Sequence, residues 1–146
     1  MIIGVYGDNA YIEFTLLELW GFPDSICYSG GYDGKWEINI KSGNYMVKDI
    51  AYLSTGELIK LNDDLNAIYR NCFGTAKLLL LDTDLEVNLD MNNKGQINVT
   101  GLYKAHPEVN NKLDFEFNSN QSYLIRTFDQ IEEMINLYGG TKGVIS

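Results

Sequence analysis

Apolar and polar residues alternate along most of this chain, and twice the period of the alternation changes. In Asp84-Leu85-Glu86-Val87-Asn88-Leu89-Asp90 every second residue is acidic or amide and those between are aliphatic, and Leu113-Asp114-Phe115-Glu116-Phe117-Asn118 repeats the scheme. Side chains on a strand point alternately to opposite faces, so such a segment buries one face and leaves acid on the other. The same reading makes strands of Ile2 to Tyr6, Tyr11 to Trp20, Trp36 to Lys41, Tyr45 to Leu53, Ala76 to Leu81, Leu85 to Met91, Ile97 to Tyr103 and Leu113 to Phe117. Turn residues at Gly7-Asp8-Asn9, Ser42-Gly43-Asn44 and Asn92-Asn93-Lys94-Gly95 join neighbours. Ile12, Phe14 and Leu16 share one parity while Leu17 and Leu19 take the other, which predicts a bulge near Leu16-Leu17.

The helical period appears first from Leu58, where Leu58, Leu61, Leu65, Ile68, Tyr69 and Cys72 recur every three or four positions. Ser54-Thr55-Gly56-Glu57 fits a capping box at its start, and Gly74 suits a left-handed stop. A second stripe of Tyr123, Leu124, Phe128, Ile131, Ile135 and Tyr138 ends at Gly139-Gly140, with a tail to Ser146 that is expected to fray. The order ββββα-ββββα predicts an α+β fold in one domain over residues 1–146. Its expected form is a curved antiparallel sheet of about eight strands, with both amphipathic helices on one face and much of the other face in water. The two halves share an element order that suits degenerate copies of one unit, although their aligned residues are too dissimilar to claim a true repeat.

Charge narrows the partners. Twenty acids against 11 bases leave a net charge of -9, whose field repels phosphate backbones and anionic membranes and favours a basic partner. The same charge also serves plain solubility. Cys27 and Cys72 lie far apart, without the spacing of a zinc site, and read as free, buried thiols in a reducing compartment. The first residues lack a basic leader, their apolar run is cut at Gly7-Asp8-Asn9, and no uncharged stretch approaches the roughly 18 residues a membrane helix needs. A soluble, cytoplasmic protein is expected.

Two constellations stand out. By parity Glu13, Glu37, Asp84, Glu86, Asp90, Asp114 and Glu116 share the solvent face, with Lys35, Lys41 and Lys104 as partial compensation. Such a face is either an anionic docking surface for a basic protein or a solvated sheet whose acids block edge pairing. The long connection from Gly21 to Gly34 carries Phe22, Asp24, Tyr28, Tyr32 and Asp33 and runs into Trp36. Aromatics ringed by acids suit a binding hot spot, although Tyr32 and Trp36 would equally plug one end of the core.

Other chemistry is thin. Asp90-Met91-Asn92-Asn93-Lys94-Gly95 opens like a calcium loop, but Lys94 takes the fifth place and Gly101 the twelfth, so a hairpin turn is the better reading. Asp82-Thr83-Asp84-Leu85-Glu86 has no closed ligand shell, and Gly30-Gly31 with Gly34 lacks the spacing of a phosphate loop. His106, the only histidine, precedes Pro107 in a polar segment with no nucleophile motif beside it, which argues against an enzyme, and no cofactor is implied. A small-ligand or enzymatic domain with the 21–34 loop as a lid remains the alternative, and a deep cavity beside His106 or either cysteine would mark it.

The run Leu17-Glu18-Leu19-Trp20-Gly21-Phe22-Pro23-Asp24-Ser25, followed by Tyr32-Asp33-Gly34-Lys35-Trp36, resembles the WapI family of immunity proteins. The likeness extends through the acidic hairpins, the Leu113–Phe117 strand and the C-terminal helix, and departs at Gly34-Lys35, where the family more usually has Ala-Asn. It implies a cytoplasmic antidote that binds the C-terminal effector domain of a polymorphic, contact-dependent toxin. In the founding pair the toxin is a nuclease that attacks transfer RNA. The resemblance carries over no catalytic residues. Taken with the residues above, it implies a non-enzymatic protein that occludes a toxin, contacting it through the acidic strands and the aromatic loop.

Overall fold

Tight hairpins build the first half. Asn9, in the left-handed region at φ 52°, turns β1 (Ile2–Gly7) into β2 (Ala10–Leu19), and Gly43 at φ 60° turns β3 (Asp33–Ser42) into β4 (Tyr45–Ser54). β2 and β3 pair across a bulge, the register slipping between Leu16 and Glu18, which throws Leu17 into solvent. The structure, a computed structural model, describes residues 1–80, 84–105 and 110–144. The expectations for Leu81, Asp82, Thr83, His106, Pro107 and the last two residues lie outside those ranges.

β4 runs straight into α1 (Thr55–Asn71). Ser54 Oγ accepts the Glu57 amide N–H at 3.1 Å and Glu57 Oε1 accepts that of Ser54 at 3.1 Å, the reciprocal box that the sequence predicts. The helix ends one step earlier than expected, because Cys72 itself adopts the left-handed cap, and Gly74 opens β5 (Gly74–Leu79). Cys72 is consequently exposed and Cys27 half-buried, so neither is the buried thiol expected. After β6 (Leu85–Met91), β7 (Gln96–Ala105) and β8 (Asn111–Asn120), the chain again passes without a loop into a helix, α2 (Gln121–Tyr138), capped by Asn120.

The class and element order are those expected, and the eight strands are distributed over two four-stranded antiparallel sheets, β1-β2-β3-β4 and β5-β6-β7-β8. α1 stands between β4 and β5, so each becomes an edge of its own sheet instead of pairing. The helices do not share the face of one sheet: α1 packs against β5, α2 against β1, and they touch each other. Each half therefore lends its helix to the first strand of the other half. The inward rows of both sheets, among them Ile12, Phe14, Trp36, Ile38, Val87, Leu89, Val99 and Phe117, join Leu58, Leu65, Leu124 and Ile131 in one continuous core.

The far edge of β1 shows how the halves close. Gly4 donates its N–H to Gln130 Oε1 at 2.8 Å and accepts Thr127 Oγ1 at 2.6 Å, so one α2 face satisfies both backbone groups. Further along, Tyr6 O accepts Ser119 Oγ at 2.6 Å and Asp8 N–H donates to Asn118 O at 2.8 Å. An edge strand buried this way must have every polar group paired. Tyr103 and Asp49 hydrogen-bond between β7 and β4, tying the sheets a second time. Burial, and then that bond, hold the Tyr103 phenol well above its ordinary pKa.

Two tests follow from this closure. Thr127→Val keeps the shape but removes the donor to Gly4 and should cost about 1–3 kcal/mol in chemical denaturation. Fragments cut after Cys72 should each lack a cooperative thermal transition and regain one when mixed in equal amounts, because each carries the helix that covers the other's first strand.

Candidate functional site

Register decides which acids keep company. On the outer face of the second sheet three rows run across all four strands: Leu79, Glu86, Leu102 and Asp114; Lys77, Asn88, Thr100 and Glu116; and Thr75, Asp90, Asn98 and Asn118. Glu86, Asp90, Asp114 and Glu116 thus share a face as parity predicts, with exposed Asp84 just before β6. They are not equally free. Lys77 holds Glu86 at 3.2 Å and Thr75 Oγ1 donates to Asp90 at 2.6 Å, whereas Asp114 and Glu116 have no ion-pair partner among the described residues.

Glu13 and Glu37 belong elsewhere. They lie on the outer face of the first sheet, in the rows Glu13, Asn39, Lys48 and Thr15, Glu37, Ile50. Since the inward rows of both sheets meet in one core, the two wet faces look in different directions, and no single flat partner covers both sets of acids. Each of the two is also engaged: Lys48 approaches Glu37 at 3.9 Å, and Tyr6 donates its hydroxyl to Glu13 at 2.8 Å. Burial, aided by Glu13, pushes the Tyr6 phenol up to about 12, against the opposing pull of Gln130 and of Arg126, whose guanidinium lies 3.9 Å above the ring. That cluster joins α2 to β1 and β2, and no sequence spacing announced it.

The 21–34 connection is a fixed wall. Tyr32 exchanges backbone and side-chain hydrogen bonds with Thr55 at the head of α1, its N–H donating to Thr55 Oγ1 at 2.9 Å and its carbonyl accepting Thr55 N–H at 2.9 Å. Its hydroxyl donates to Pro23 O at 2.8 Å and accepts Val144 N–H at 3.1 Å. Gly31 N–H reaches Thr141 O at 2.7 Å. A Cβ at Gly56 would collide with the carbonyl oxygen of Gly30, so glycine there is what lets the loop lie on α1. Phe22 is wedged edge-on between Tyr32 and Tyr138, 5.2 Å from each. These contacts tie the loop to α1, to Tyr138 and to the segment around Thr141 and Val144.

The aromatic candidates therefore separate. Tyr32 and Trp36 are 0% exposed and cannot touch a partner; the Trp36 indole donates to Leu53 O at 3.0 Å, and both residues plug the core end. Asp33 begins β3 and its carboxylate is half-buried against the Gly34 amide. Phe22 and Asp24 are exposed on the loop shoulder, and Tyr28 at the tip is wholly exposed.

Several hollows open on the surface of the described residues, among them one of about 530 Å³ beside Tyr6 and Arg126. Another of about 650 Å³ lies at the β6–β7 hairpin, and several of the polar groups that line it are already used: Asn92 Oδ1 accepts Lys94 and Gln96 N–H, Asn120 caps α2, and Asp8 accepts the Tyr123 hydroxyl. The calcium-like run Asp90–Gly95 is thus a hairpin turn flanked by strands. A cleft of about 630 Å³ lies between the head of α1, the edge of β5 and the loop tip, lined by Tyr28, Glu57, Leu61, Asp63, Asp64 and Leu79 among others. A smaller hollow of about 140 Å³ adjoins it, bounded by Asp84, Glu86, Leu102 and Lys104 and sharing Leu79.

Leu79 escaped the sequence reading, yet parity contains it. If Leu78 and Leu80 face the core, the leucine between them must face water, and it is 58% exposed in a row that also holds Glu86, Leu102 and Asp114. The stacking of Trp20, one residue past β2, on Tyr52 of β4, with ring centroids 6.1 Å apart, was likewise invisible, because it joins residues far apart in the chain.

Among the described residues no helix is long and apolar enough to cross a membrane, and no group of three or more His, Cys, Asp or Glu side chains is placed to hold a metal ion. No curated protein matches the sequence. The model of the Immunity protein WapI-like family matches residues 1–139, which carries the acidic sheet, the pinned aromatic loop and both helices, and the chain belongs to that family of immunity proteins.

Proposed function

We propose that this protein, acting in the cytoplasm as one unit, neutralises a cognate toxin by binding its effector domain and covering the surface that the effector needs, without chemistry of its own. Membership of an immunity-protein family over residues 1–139 carries this reading. The acids supply the means. Asp84, Glu86, Asp90, Asp114 and Glu116 share one wet face of a chain with net charge -9. An effector that acts on nucleic acid must present a basic surface to phosphate, and the same surface is attracted to this face. Long-range attraction of that kind raises the association rate more than it lowers the dissociation rate.

The wall-like loop supports binding over a lidded pocket. Its hydrogen bonds to α1 and to Thr141 hold Tyr28 at a set position beside β5 of the acidic sheet, an arrangement that avoids ordering a loop on association. Glu13 and Glu37, on the other sheet, do not enter this contact.

Co-expression with the toxin encoded beside the gene should rescue growth, and the purified chain should bind the effector domain; a chain that neither binds nor protects rejects the reading. Reversing Asp114 and Glu116 to Lys should slow association by about tenfold in low salt, with the difference shrinking as ionic strength rises past about 0.15 M. Stopped-flow mixing over a salt series measures it, and equal rates at every salt concentration would remove the acidic face from the mechanism.

A further inference from the structure

One surface among the described residues combines an exposed apolar anchor, a concavity and unneutralised charge beside the acidic sheet face. It rests on the reading of the chain as a toxin-binding protein and says where on the fold the toxin sits. Leu79, on the outer face of β5, forms the ridge between the cleft of about 630 Å³ and the hollow of about 140 Å³. On one side of it the floor continues through Leu61 and Leu78; on the other, Leu102 lies in its own row beyond Glu86. An exposed leucine flanked by two depressions is where a partner's side chains gain most from leaving water.

Tyr28 stands on the rim of that cleft, fully exposed, with nothing of its own chain to cover it. Its backbone is nonetheless held: Cys27 N–H donates to Gly31 O at 2.8 Å, Gly30 N–H to Cys27 O at 3.1 Å, and Gly31 is anchored to Thr141. A tyrosine presented on a fixed backbone loses little freedom on binding, which is the economy seen in matured binding loops.

Charge selects the occupant. Asp63 and Asp64 line the cleft and have no ion-pair partner among the described residues, while Lys77 on the opposite wall is taken up by Glu86. Lys60 lines the same cleft and is outweighed there by Glu57, Asp63 and Asp64, and Lys104 in the smaller hollow is outweighed by Asp84 and Glu86. An Arg or Lys fits this environment in both parts, its aliphatic stem along Leu61 and Leu79 and its charged head toward Asp63 and Asp64. A second copy of this chain, also at -9, is repelled.

We infer that the cleft between α1 and β5, with Leu79 and Tyr28 as anchors, is the docking site of the cognate effector domain, which inserts a basic segment there. The acidic rows beyond Glu86 then steer, and the cleft holds.

The test titrates the purified, catalytically inactivated effector domain encoded beside the gene into the full-length chain and into Leu79→Asp, Tyr28→Ala, paired Asp63→Lys and Asp64→Lys, and Ile50→Asp on the outer face of the other sheet. Thermal unfolding of each variant identifies any that fails to fold, and Tyr28→Ala, at a residue with no side-chain packing to lose, keeps the test alive if Leu79→Asp does. Each cleft variant should weaken binding by about tenfold or more, as loss of an anchor does, and Ile50→Asp by less than about twofold. Folded cleft variants that bind like the wild type, or an equal loss from Ile50→Asp, would overturn the assignment while leaving the immunity reading intact. A wild-type chain that neither binds nor protects would overturn the immunity reading itself. Light scattering that finds a dimer broken by Leu79→Asp would give the cleft to a second copy and overturn the assignment.

Discussion

Sealing of the first strand of each half by the helix of the other is the constraint from which the rest of the architecture follows. β1 offers a row of amide and carbonyl groups to its far side, and those that α2 and β8 reach are satisfied by Gln130, Thr127, Ser119 and Asn118. Because those partners sit more than a hundred residues away, the first sheet is incomplete until the last helix arrives. α1 packs reciprocally against β5. Loop closure over such separations is paid for by the apolar stripe of each helix, Leu58, Leu61, Leu65 and Ile68 in one and Leu124, Ile131 and Met134 in the other.

The same closure determines what is left outside. With β1 and β5 against helices, the remaining edges are β4 and β8. β4 points Asp49 inward to Tyr103, where the Asp49 carboxylate also accepts the Ile50 amide at 2.8 Å, and β8 carries Lys112, Asp114 and Glu116 on its wet face. An inward charge on one edge and a charged outer row on the other discourage strand addition by a neighbour. The protein thus offers partners side chains and a cleft rather than a bare ladder.

Most of the family-like aromatic phrase turns out to be framework. Phe22, Tyr32 and Trp36 hold the connection between β2 and β3 against α1, Tyr138 and the segment around Val144, and the residue that reaches solvent most fully is Tyr28, which lies between the two quoted motifs. A conspicuous aromatic pattern can therefore describe the mount while the presented side chain sits in its gap. The distribution of acid follows a similar logic: the second sheet gathers Glu86, Asp114 and Glu116 on one wet face, with exposed Leu79 in the same row as Glu86.

Periodicity alone determined the eight strands, the two helices, the Ser54 capping box, the bulge at Leu17 and the inward or outward sense of nearly every strand residue, because these depend on neighbours within a few positions. It placed Glu86 and Glu116 on one face correctly. What it could not contain was which strands become neighbours: parity says that Glu13 and Glu86 both face water, and only the division into two sheets puts them on different sides. Burial of Tyr32 and Trp36, the Arg126–Tyr6–Gln130 cluster and the cleft under Leu79 were likewise decided by tertiary contacts. Each is made by residues from separate elements, and the hydrophobic effect that drives them together has no direction of its own; the helices and the polar groups of strand edges supply it.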